Sequence, residues 1–205
     1  MQTSAASSHQ DLAFLRTLAE AGKNAPLASG PYLVSGGGWF ALASLLIGLA
    51  DMGWIPFKPA QMWPAMLGAM VGFAITLFVL LRRDAGRIAN DTNRLMGEAW
   101  SAAGLGIFLF FVAVYIAAAR TGQYAMLNAI ALFVLAVYAM AWRITARITG
   151  RRWMDGVSAL TVVSLFAVAL ALGTTASWLA YAGALVLSGV LPGLYMMRMA
   201  RAAQG

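Results

Sequence analysis

Cysteine is absent from the chain, histidine occurs once, and two lysines accompany twelve arginines. Without cysteine there are no disulfides, thiolate metal sites or thiol nucleophiles. The lone histidine, His9, lies in a polar N-terminal arm. One histidine and no cysteine cannot build a bis-histidine haem or a zinc site with three nitrogen or sulfur ligands. They also leave the apolar body of the chain without the histidine that many membrane hydrolases use as general base. Charge is scarce as well. Only 10% of the 205 residues are Asp, Glu, Lys or Arg, where a soluble domain carries about a quarter. None of these charges falls at the centre of a long apolar run, and Asp51, Glu98 and Asp155 all stand at run ends. Buried ionisable groups mark proton relays and voltage sensors in membranes, so the pattern argues against both. No catalytic residue and no cofactor is expected, and an enzyme is the less favoured reading.

What fills the chain instead is hydrocarbon. Residues 99–119, AWSAAGLGIFLFFVAVYIAAA, run twenty-one positions without a charge. As a helix this run is about 30 Å long, the thickness of a bilayer core. A lone segment in lipid satisfies its backbone only as a helix. Five further runs repeat the theme, giving spans at about 32–50, 63–81, 99–119, 124–142, 153–172 and 177–197. The chain is 61% hydrophobic, with a mean hydropathy of +0.77. The expected fold is therefore an all-α integral membrane protein with six transmembrane helices. Trp54, Phe57 and Trp63 suit an interfacial loop, and Pro64 suits a first helical turn. Pro192 is expected to kink the last turns of span six.

The arm, residues 1–31, precedes the bundle at 32–197, and a short tail follows at 198–205. Its first residues lack the apolar core of a cleavable signal peptide. Residues 8–22 read as an amphipathic helix, with Leu12, Leu15, Leu18 and Ala19 on one stripe. Such a helix lies on the membrane surface or docks on the cytosolic mouth of the bundle, and binding a cytosolic protein is the sharper option.

The basic residues settle the expected orientation. Arg16, Lys23, Arg82, Arg83, Arg87, Arg94, Arg143, Arg147, Arg151, Arg152, Arg198 and Arg201 fall on one side of a six-span layout, and only Lys58 and Arg120 on the other. Lys and Arg flanking the spans stay cytoplasmic, so both termini are expected inside. The net charge of +7 then reflects topology rather than nucleic-acid binding. Richness in Arg, Ala and Gly suggests a bacterial inner (plasma) membrane.

Three constellations stand out as candidate sites. Met62, Met66 and Met70 recur on one face of span two. Their spacing resembles the paired methionines of small copper-uptake channels, where thioethers hold soft Cu(I). Those channels have three spans and work as trimers, and the resemblance covers these residues only. Gly68 with Gly72, Gly189 with Gly193, Gly37 with Ala41 and Ala102 with Gly106 are small-residue pairs four apart. Such pairs let helices approach closely, within one bundle or in a homo-oligomer. Arg143, Arg147 and Arg151 form a ridge beyond span four. With Arg83 and Arg87 they are expected to contact anionic lipid head groups or an acidic cytosolic partner. Asp84, Arg87, Asp91 and Arg94 lie where lipid head-group transferases cluster aspartates, without that density or order. Polar side chains within the spans are few: Ser44, Asn128, Thr161, Ser164 and Ser188. Asn128 is expected to bond to a neighbouring helix.

These readings favour a non-catalytic membrane protein with a structural or regulatory role, presenting a basic cytosolic face. The alternative is a small oligomeric transporter or channel for a neutral or soft-metal solute.

Overall fold

Each apolar run forms a helix. The structure is a computed structural model describing residues 29–56, 62–85 and 91–202; the expected helix at 8–22, Lys58 and Arg87 lie outside them. It is 90% helical, without a strand among the described residues. The helices are α1 (Gly30–Asp51), α2 (Met62–Asp84), α3 (Asp91–Thr121), α4 (Asn128–Thr149), α5 (Arg152–Ala171) and α6 (Ser177–Ala202). A 3₁₀ turn, Tyr124–Leu127, leads into α4. All six helices are long and apolar enough to cross a membrane.

At the arginine-rich end the helices outrun the apolar runs that define them. α3 begins at Asp91, eight residues before Ala99, and α4 and α6 continue to Thr149 and Ala202. The edge of an apolar run marks where lipid would end; a helix stops only where its backbone is capped or broken. Asp91 favours the positive N-terminus of α3, and Arg147 the negative C-terminus of α4. α4 ends at Gly150, whose φ of +68° is the left-handed conformation glycine adopts freely, with its N–H donating to the Ala146 carbonyl at 2.9 Å.

The helices lie side by side in the order α2, α1, α6, α5, α4, α3, each antiparallel to its neighbour. α1 meets α2 through Tyr32–Asp84 at one end and Trp39 over Gly72 further along. Its opposite face meets α6, with Gly30 against Gly193, Gly37 against Gly189 and Gly48 against Leu179. α5 joins α4 where the Ser158 hydroxyl donates to the Ala139 carbonyl at 2.7 Å. α3 closes the row by stacking Phe110 on Phe133, ring centroids 4.0 Å apart. The central helices carry the burial: half of the apolar window of α6 is buried and 44% of that of α1, against 11% for α2 and 6% for α3.

Two clusters make the core. One gathers Ala41, Val134, Leu135, Val168, Tyr181, Ala184 and Leu185. The other, at the arginine-rich end, gathers Leu33, Met96, Trp142, Ala146, Met154 and Met196. Apart from Ser158, most buried hydroxyls turn back on their own helices. Thr145, Thr161, Ser164 and Ser188 each donate to the carbonyl four residues earlier, which satisfies a donor that lipid could not. Ser44 does neither: it is fully buried and its hydroxyl has no partner among the described residues. Asn128 is exposed in the first turn of α4 and bonds to no other helix among the described residues.

Candidate functional site at the arginine-rich end

Antiparallel packing brings six helix ends together. They are the starts of α1, α3 and α5 and the ends of α2, α4 and α6. Nine arginines stand there among the described residues: Arg82, Arg83, Arg94, Arg143, Arg147, Arg151, Arg152, Arg198 and Arg201. Against them are four acids, Asp84, Asp91, Glu98 and Asp155. At the other end the described charged residues are Asp51 and Arg120.

The acids organise part of this field. Arg143 donates to Asp155 at 2.8 Å, tying the end of α4 to the start of α5. Asp84 accepts from the Tyr32 hydroxyl at 3.0 Å and from Arg83 at 3.1 Å, tying α2 to α1. Arg94 pairs with Asp91 one turn back at 3.3 Å, with both side chains largely in solvent. Pairs this exposed contribute about 0–1 kcal/mol each. They orient the helix ends rather than hold the bundle together. Arg82 lies over the Phe78 ring, 4.9 Å from its centroid. Arg147, Arg152, Arg198 and Arg201 have no carboxylate partner among the described residues.

Beneath the arginines lies a layer of aromatic rings. Tyr138 meets Trp100, Trp100 meets Trp142, Trp142 meets Trp153 and Trp153 meets Tyr195, with centroids 5.1 to 5.9 Å apart. Most of these pairs are edge-to-face, the arrangement that a ring's quadrupole favours. Met96, Met154 and Met196 fill the spaces between, all but completely buried. Large flexible thioethers suit the irregular gaps among indoles. The Trp100 indole donates to the Thr145 hydroxyl at 3.1 Å. The Trp142 indole donates to the Ser188 carbonyl at 2.7 Å.

That last bond answers a defect in α6. Pro192 has no N–H, so the carbonyl four residues back, that of Ser188, loses its α-helical donor. Residues Val186–Val190 form a π turn there, with the Leu191 N–H reaching back five residues to Val186. Where a kink was expected from Pro192 the helix has this π turn, and Trp142 reaches across from α4 to the affected carbonyl. Nothing in the one-dimensional pattern singled out Trp142. The signal that could have done so is Pro192 itself, since its missing donor demands a partner from another helix.

The methionines proposed from sequence lie elsewhere. Met66 and Met70 are half-buried on α2, and Met62 begins that helix. Met66 and Met70 are not part of the Met96–Met154–Met196 layer. No group of three or more His, Asp or Glu side chains converges among the described residues. The glycines divide. Gly37, Gly189 and Gly193 lie at the α1–α6 crossing, and Gly72 lies under Trp39, whereas Gly68 and Gly106 have nothing within 4 Å of where a Cβ would stand. Compared with family models, curated proteins and solved structures, the chain matches none.

Proposed function

We propose that the protein is a multi-pass inner-membrane protein with both termini in the cytosol. It has a non-catalytic structural or regulatory role and presents its arginine-rich end to anionic lipid head groups or an acidic partner. The observation that carries this reading is the gathering of nine arginines against four acids at one end of an apolar bundle. Basic residues beside spans are retained on the cytoplasmic side and are attracted there by anionic lipid, each by about 1 kcal/mol. Among the described residues, the interior behind them holds hydroxyls, thioethers and rings, and no carboxylate.

Two measurements test the proposal. Reporter fusions after Gly150 should read cytosolic and fusions after Gly122 periplasmic; the reverse would overturn the topology. In nanodiscs of mixed neutral and anionic phospholipid, Arg143→Ala, Arg147→Ala and Arg151→Ala combined should reduce the anionic lipid retained on purification. The same set of bound lipids and partners in this variant would overturn the role given to the basic end.

A further inference from the structure

We propose that the π turn at Val186–Val190 is a two-state joint in α6, latched by Trp142, which sets the direction in which the segment Leu191–Ala202 presents Arg198 and Arg201. A π turn absorbs one residue more than an α turn. If it rewinds to α, everything beyond it rotates by one residue, about 100°, and advances about 1.5 Å. Two contacts hold the π form. One is the Trp142 indole on the Ser188 carbonyl, both fully buried. The other is the approach of Gly193 to α1, where a Cβ would stand 2.8 Å from the Gly30 carbonyl oxygen and 2.9 Å from Val34.

The rewound form is distinct and self-consistent. Pro192 would stand where Gly193 now stands, too bulky for the Gly30 backbone, so Leu191–Ala202 would have to separate from α1. Tyr195, now half-exposed, would turn towards the place of Met196, which is 1% exposed in the methionine layer. Val186–Val190 is also where the packing of α6 changes. Ser177–Leu185 packs on both α1 and α5, whereas Leu191–Ala202 packs closely on α1 and meets α5 through side chains such as Tyr195 on Trp153. The latch residue is followed directly by Arg143, whose bond to Asp155 fixes the end of α4 from which the indole reaches. The latch thus joins α4, α5 and α6 at the arginine-rich end.

The absence of cysteine makes a direct test practicable. Spin labels go on Leu95→Cys of α3 and Leu194→Cys of α6, both exposed positions. The distance between them is read in nanodiscs. A label carried through about 100° on a helix about 11 Å across moves by about 8 Å. The otherwise wild-type chain should give one dominant distance. Trp142→Phe removes the latch, and Pro192→Ala restores the donor that an α turn needs. Each should add a second population displaced by several ångströms. Deleting Leu187 in the Trp142→Phe background removes the extra residue and should return the single wild-type distance. An unchanged distance in both substituted proteins, with wild-type elution, would overturn the joint. Should either variant fail to fold, amide exchange of the wild-type protein decides: amides of 186–191 should exchange faster than those of 178–185, and equal protection overturns the proposal.

Discussion

The two seams of the bundle solve the same problem with opposite materials. Between α1 and α6 the backbones nearly touch, because Gly30, Gly37, Gly189 and Gly193 leave nothing between them. Across α3, α4, α5 and the end of α6 the space is filled by Trp100, Trp142, Trp153, Met96, Met154 and Met196. In lipid neither seam would gain from excluding water, and both would depend on van der Waals contact and on hydrogen bonds that lipid cannot supply. The glycine seam gains contact by removing side chains. The tryptophan seam gains it by interlocking large ones, and it alone reaches over to satisfy a backbone carbonyl of the other seam.

The comparison is broken most severely at Trp142. Trp142→Ala removes a fully buried ring and the donor to Ser188 together, and should cost about 4 kcal/mol. Unfolding by SDS titration in mixed micelles measures it. Trp142→Phe should cost clearly less, because most of the ring volume stays while the donor goes; equal losses would mean that the bond to Ser188, and not the packing of the ring, carries the whole effect.

The glycine seam should break the opposite way, by addition. Gly193→Val places a branched side chain against the Gly30 carbonyl and Val34 and should cost about 3 kcal/mol by overpacking. Gly106→Val on α3 meets open space and should change stability by less than about 1 kcal/mol. If the two cost the same by the same titration, close approach is not what Gly193 is for.

The smallest effect sharpens the contrast within the tryptophan side. Ser158→Ala deletes the single hydroxyl bond from α5 to the Ala139 carbonyl of α4 and should cost about 0.6 kcal/mol, as single polar bonds between membrane helices do. A loss as large as that of Trp142→Ala would show that hydrogen bonding rather than ring packing holds α4 to α5.

The sequence makes some residues easy to place and others not. Six apolar runs bounded by Arg, Gly and Asp give six helices, because length and hydropathy determine whether a segment can cross lipid. The helix starts near Asp91 and the ends at Thr149 and Ala202 are not legible in the apolar runs, since a helix ignores the edge of the hydrocarbon. Gly189 and Gly193 read as a close-approach pair, but so do Gly68 and Gly72, and Ala102 and Gly106. Only the packing distinguishes those that meet a backbone from Gly68 and Gly106, which meet nothing. The methionines that cluster are Met96, Met154 and Met196, one from each of three helices. The regular stripe at Met62, Met66 and Met70 drew attention because it lies on one helix, where spacing is visible.

By itself, then, the amino-acid order determined the number of helices, their approximate extents and the segregation of arginine to alternate connections. These depend on the run length and charge of single segments. Tertiary structure alone decided the row α2, α1, α6, α5, α4, α3, the Gly30–Gly193 crossing, the tryptophan–methionine layer and the capture of the Ser188 carbonyl by Trp142. In a water-soluble helix the buried face differs in polarity from the exposed one, and the sequence displays it. Here the exposed face is as apolar as the buried one, as Leu105, Phe108 and Leu109 on α3 illustrate, so which face meets which neighbour is written only in shape.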